Sequence, residues 1–114
     1  MPRKLSSNEA DVLLRVLGTL PEGEILQQQV GYATVTDDSV PTFLTLFVGP
    51  EHPQARVKDG PVPGRFPVVH SDEITGEILV WVRSGRLTGL EYAWVTDDSP
   101  DAIPLAEDVR TSPG

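Results

Sequence analysis

The sequence contains no cysteine. A disulfide framework, a thiol nucleophile and any thiolate-ligated zinc or iron–sulfur centre are therefore excluded. Histidine is nearly as scarce: His52 and His70 are the only two, too few for a metal cage unless carboxylates complete it. Basic residues are also few. Nine Lys and Arg stand against 17 Asp and Glu, a formal charge of −8. The densest basic groupings are Arg3-Lys4 and Arg56 with Lys58. Nucleic acids and anionic membrane surfaces are bound through clustered Lys and Arg, so neither is an expected partner. No apolar run approaches the ~20 residues that span a bilayer. No apolar stretch of the ~7–15 residues of a secretory signal follows the basic residues 3–4. The sequence predicts a cytoplasmic protein without a cofactor. Catalytic signatures are missing as well. There is no Gly-x-Ser-x-Gly elbow, and Gly60, Gly64, Gly85 and Gly89 form no phosphate-cradling loop ahead of a helix.

What is present is enough for one modest core. The chain has 114 residues, 39% of them apolar, which predicts a single domain over residues 1–114. Ser6 and Glu9 have capping-box spacing, and Val12, Leu13, Val16, Leu17 and Leu20 form one helical stripe behind them. These predict a helix over 7–18, stopped by Gly18 and Pro21. Residues 22–29 read as a short second helix, with Ile25 and Leu26 turned inward and Gly31 ending it.

After Gly31 the apolar period changes to two. Strands are predicted over 32–36, 41–48, 65–71, 77–83 and 86–96, with turns at Asp37-Asp38-Ser39, over 72–76 and at Ser84-Gly85. Within 41–48, Phe43, Thr45 and Phe47 share one face, and Leu44, Leu46 and Val48 share the other. Apolar groups on both faces suggest a central strand. Residues 49–64 are rich in Pro and Gly and read as a linker between hairpins. Residues 97–114, with Pro100, Pro104 and Pro113, read as an extended tail that Ile103, Leu105 and Val109 tack to the core. The expected fold is α+β: one or two N-terminal helices packed on one face of an antiparallel sheet of about five strands.

One octapeptide recurs with a single change. Residues 32–39 and 92–99 differ only at Thr34 against Trp94. No longer repeat unit surrounds the match, so it reads as a strand-plus-Asx-turn pattern used twice. The aspartate pairs Asp37-Asp38 and Asp97-Asp98 would converge on a cation only if the two strand ends lay side by side. Neighbouring strand residues point to opposite faces, so solvated turns are the expected outcome and no metal site is assigned. His70 alternates with Val68 and is a candidate inward-facing residue. Glu91 is expected on the solvent face or paired with Arg83 or Arg86 across the hairpin. Neither is assigned a catalytic role.

Trp81, Tyr92 and Trp94 are the candidate partner-binding residues, because aromatic side chains dominate interface energetics. Asp97, Asp98 and Asp101 follow them as a charged rim. The stretch from Gly76 to Val82, continued through Gly85-Arg86-Leu87-Thr88-Gly89-Leu90-Glu91-Tyr92-Ala93-Trp94-Val95-Thr96-Asp97-Asp98 to Pro100 and Pro104, resembles the C-terminal half of small actinobacterial proteins without an established activity. The strand–Ser-Gly–Arg-Leu hairpin is also similar to the late hairpin of cystatin-like and nuclear-transport-factor-like α+β folds. Neither resemblance implies a catalytic residue. The expected function is a non-enzymatic acidic interaction module, such as an immunity-type or antitoxin-like inhibitor of a basic protein. A small-ligand or minor enzyme domain using His70 or Glu91 is the alternative, and a structural homodimer a third.

Overall fold

A computed structural model describes residues 2–111. The capping box forms as the sequence predicts. Ser6 Oγ accepts the Glu9 N–H at 3.1 Å, and Glu9 Oε1 accepts the Ser6 N–H at 2.8 Å. Helix α1 runs Ser7–Leu17 and buries Val12, Leu13, Val16 and Leu17 completely. Helix α2 runs Glu24–Val30 and buries Leu26, Gln29 and Val30.

Arg3 reinforces the start of α1. Its guanidinium donates to both Glu9 oxygens, at 2.9 and 3.0 Å, and its Nε donates to Asp38 Oδ2 at 3.1 Å. Burial works to raise the Glu9 carboxyl, but the hydrogen bonds from Arg3 and the Ser6 N–H outweigh it and hold the pKa below its ordinary value. A depressed folded pKa stabilises the fold above the unfolded value of about 4.3 and loses that contribution as pH falls through the folded one. Glu9→Gln keeps an acceptor for the Ser6 N–H and removes the charge. It lowers stability by about 0.5–1 kcal/mol at pH 7, a modest figure because Arg3 is partly exposed. Urea unfolding at pH 7 and pH 3 checks the sign: the gap from wild type narrows at pH 3. An equal gap at both pH values contradicts the pairing.

Among the described residues, seven strands, all antiparallel, form one sheet. They are β1 Arg3–Lys4, β2 Thr34–Val40, β3 Phe43–Phe47, β4 Gly60–Pro61, β5 Pro67–His70, β6 Glu73–Arg83 and β7 Arg86–Trp94, in spatial order β1-β2-β3-β7-β6, with β4 and β5 both pairing along the far side of β6. The count exceeds the predicted five because β1 and β4 are two-residue strands with no period to read. The turn expected over 72–76 is instead at Ser71-Asp72, both at positive φ (50° and 63°), so β6 begins at Glu73 and Gly76 lies inside it. Aspartate tolerates the left-handed region, which suits this two-residue hairpin. The Asp37–Ser39 motif likewise does not end its strand: Asp37 Oδ1 accepts the Ser39 N–H at 2.9 Å and the Ser39 O–H at 2.7 Å within a bulged part of β2.

Residues 49–64 are pinned rather than slack. Ala55 N–H donates to Gly85 O at 2.9 Å, Gln54 Nε2 to Ser84 O at 2.8 Å, and Ser84 N–H to Asp59 Oδ1 at 2.8 Å. Gly85 has φ 71°, and a Cβ there would lie 2.4 Å from Ala55 O, so only glycine lets the loop reach the β6–β7 turn.

The segment after β7 also returns to the core. Ile103 and Val109 are buried, whereas Leu105 is exposed and does not tack it down. Asn8 donates to Pro104 O and accepts from Ala106 N–H, Arg15 Nε donates to Val109 O, and Arg110 N–H reaches Pro67 O. The rest of the expected tail, residues 112–114 with Pro113, lies outside the described residues. One cluster of buried apolar side chains joins the helices, this segment and the inner face of the sheet.

Candidate functional site: the outer face of the sheet

Strand alternation sorts the sheet into two sides. Leu44, Leu46, Ile78, Val80, Val82, Leu87, Leu90 and Tyr92 face the helices and are buried. Their neighbours face the other way. The register sets Val40 opposite Phe43, Phe43 opposite Glu91, and Glu91 opposite Leu79. The next row holds Asp37, Thr45, Gly89 and Trp81. A Cβ on Gly89 would lie 3.3 Å from Trp81 Cδ1 and 3.4 Å from Phe43 Cε1, so both rings overhang that glycine. Phe47, on the same side of β3, is 54% exposed, and Val40 53%.

The molecule's shortest extent is 22 Å. Val40, Phe43 and Phe47 are exposed, so no third layer among the described residues covers these outer-face side chains. Acidic groups lie at the edges of the apolar patch at Asp37 and Glu77, and within it at Glu91, between Phe43 and Leu79. Trp81 Nε1 donates to Glu91 Oε1 at 3.0 Å, which fixes the indole against the sheet and leaves the other carboxylate oxygen free to accept. Hydrogen bonds from the Ser39 hydroxyl and N–H hold the Asp37 carboxyl below its ordinary pKa.

The sequence candidates do not gather in one place. Trp81 belongs to the outer face. Tyr92 does not: it is 6% exposed and its hydroxyl donates to Thr75 Oγ1 at 2.6 Å, so it is a core residue with a satisfied polar tip and is not accessible for docking. Trp94 ends β7 opposite Gly76 and is 37% exposed. It lines a shallow depression of about 550 Å³ with Arg65, Pro67, Glu77 and Val95 at the corner of the outer face. Asp97, Asp98 and Asp101 are exposed. Asp98 and Asp101 line a different open depression with His70, Tyr92 and Asp108, so they do not rim Trp81.

His70 is exposed rather than inward-facing: it shares the Val68 side of β5 but is the strand's last residue, beside the Ser71-Asp72 turn. Its Nδ1 lies 3.1 Å from Asp108 Oδ2. Glu91 bonds to Trp81 and not to Arg83 or Arg86, since those two arginines pair with each other beside the turn. Asp37 shares its row with Gly89, while Asp97 lies eight residues further along from Gly89. At ~3.3 Å per residue the two aspartate pairs are therefore not brought together.

The repeated octapeptide occupies two unlike environments. Tyr32 is exposed and stacks on His52 at 4.0 Å, whereas Tyr92 is core. Phe43, Phe47 and Val40 were not among the predicted binding residues. Their signal was the alternation within β3, where aromatics on the second face mark an uncovered apolar surface as readily as a strand buried on both sides.

Fold and site together define a two-layer α+β protein with one open, aromatic, acid-bordered sheet face. No family model, curated protein or solved structure matches the chain. Among the described residues, no helix is long and apolar enough to cross a membrane.

Proposed function

We propose that the protein is a non-enzymatic binding module that docks a basic protein surface on the outer face of its sheet. The observation that carries this reading is the juxtaposition of exposed Val40, Phe43 and Phe47 and partly buried Trp81 with Asp37, Glu77 and Glu91 on one uncovered face. An apolar centre supplies affinity by burial, and a carboxylate border favours a cationic partner and repels acidic ones. The net charge of −8 extends that preference to long range and disfavours a second copy of the same chain as the occupant. An immunity- or antitoxin-type inhibitor, which covers the basic active surface of its target, is the most specific form of this proposal.

The test is capture from the native host with immobilised protein, followed by calorimetry with the purified partner. The expected result is a basic protein bound at micromolar concentration or tighter, with affinity falling as salt rises. Absence of any partner at micromolar concentration, or binding indifferent to substitutions on the outer face, overturns it. Self-association that buries Phe47, measured by sedimentation, would instead assign the face to a homodimer.

A further inference from the structure

The β3–β7 ladder stops early. Its register covers Phe43, Thr45 and the residue between them, opposite Glu91, Leu90 and Gly89. Beyond that point β3 and β7 part at the Thr88 bulge, where the Leu87 N–H is taken by Gln29 Oε1 at 3.0 Å. The strands leave a gap of about 230 Å³ whose polar lining is Arg83, Ser84, Arg86 and Thr88. Arg83 and Arg86 are direct cross-strand partners. Like charges in that position destabilise a hairpin unless something neutralises them. Neither arginine has a carboxylate within 4.0 Å among the described residues.

Arg86 is held in place from behind. One terminal nitrogen donates to Pro50 O at 3.1 Å and to His52 O at 3.3 Å, while its buried Nε has no partner among the described residues. The loop docked on this turn adds exposed Arg56 and Lys58. Of the acids on that loop, Asp59 accepts the Ser84 N–H, and Glu51 faces His52 at 3.2 Å. Four of the nine basic residues of an acidic chain thus lie at one end of the β6–β7 hairpin or on the loop docked there.

We propose that this gap is a binding site for a phosphate-sized oxyanion, held between the Arg83 and Arg86 guanidinium groups with the Ser84 and Thr88 hydroxyls as further donors. Paired guanidinium donors match the tetrahedral oxygens of phosphate, and each such charge-assisted hydrogen bond is stronger than a neutral one. The volume is below the ~300 Å³ at which drug-sized ligand pockets begin, which fits a single phosphoryl group rather than a nucleotide. Phe47 lines this gap as well as the outer face, but an oxyanion and a basic protein are different occupants, and either reading stands without the other.

The test is an amide NMR titration of the intact protein at low ionic strength. Inorganic phosphate and glycerol phosphate are the probes, and sodium chloride at matched ionic strength is the control. Saturable shifts at Ser84, Arg86 and Thr88 with either phosphate, and not with chloride, are expected. The two phosphate arms separate a free ion from a phosphomonoester as the preferred form. Arg83→Ala, at an exposed position, weakens binding about tenfold or more, while Arg86→Lys keeps the charge, loses the fork and weakens it less. Shifts that chloride reproduces, or phosphate binding unchanged by Arg83→Ala in a folded variant, overturn the proposal.

Discussion

Replacing Gln29 with leucine lowers the unfolding free energy by about 3 kcal/mol, the largest effect expected of any single polar substitution in this chain. Gln29 is 1% exposed, and its amide makes three bonds at once. Nε2 donates to Pro53 O and Gly85 O, each at 2.9 Å, and Oε1 accepts the Leu87 N–H at 3.0 Å. One side chain on α2 therefore ties together the loop after β3, the β6–β7 turn and the first part of β7. Leucine fills similar space and strands a buried N–H and a carbonyl, each worth about 1–3 kcal/mol. Gly85 O loses less, because Ala55 N–H still reaches it. The fall in Tm is roughly 10 °C or more for a domain of this size. Gln54→Ala, which removes one exposed bond to Ser84 O, is the control and costs under about 0.5 kcal/mol. Equal losses for the two variants in urea denaturation contradict a buried amide lock.

The second large effect falls on binding and leaves stability nearly untouched. Phe47→Ser weakens the captured partner's affinity by about 30-fold, roughly 2 kcal/mol, as expected for an exposed aromatic anchor of an interface. The phenyl ring is 54% exposed in the free protein, so its removal shifts Tm by only a few degrees. Glu77→Lys acts differently. It reverses a border charge and slows association, with a smaller penalty at high salt where the wild-type steering is already screened. Calorimetry and stopped-flow association on the same pair of variants separate the two contributions. Binding that Phe47→Ser leaves intact while Glu77→Lys abolishes it places the partner nearer the Trp94 corner than the Phe47 end of the face.

Much of this architecture is legible in the residue order, for local reasons. The Ser6–Glu9 box and the Val12–Leu17 stripe specify α1 because both depend only on neighbours in sequence. Ser84-Gly85 specifies its turn because two consecutive positive φ values demand such residues. Misplacements occur where long-range contacts decide. Gly76 resembles a turn glycine, yet it serves a close approach between β6 and β7, where a Cβ would lie 2.4 Å from Ala93 O. Tyr92 and Trp81 have the same spacing signal, and only the register against β3 and the helix layer sends one inward and the other out. Residues 49–64 carry no periodicity, but four hydrogen bonds from them reach the β6–β7 turn or α2. The acidic cluster after Trp94 is adjacent in sequence and remote in function, since the chain bends toward the inner face immediately beyond β7.

The most direct test of an open docking face uses Trp81 as its own reporter. With only two tryptophans in the chain, Trp94→Phe leaves Trp81 as the sole indole, overhanging Gly89 beside Phe43. Acrylamide quenching of its emission is then measured with and without the captured partner. Efficient quenching in the free protein, and strong protection when the partner is bound, is the predicted result. Protection already present in the free protein, or quenching unchanged by saturating partner, would show that this face is not where the protein binds.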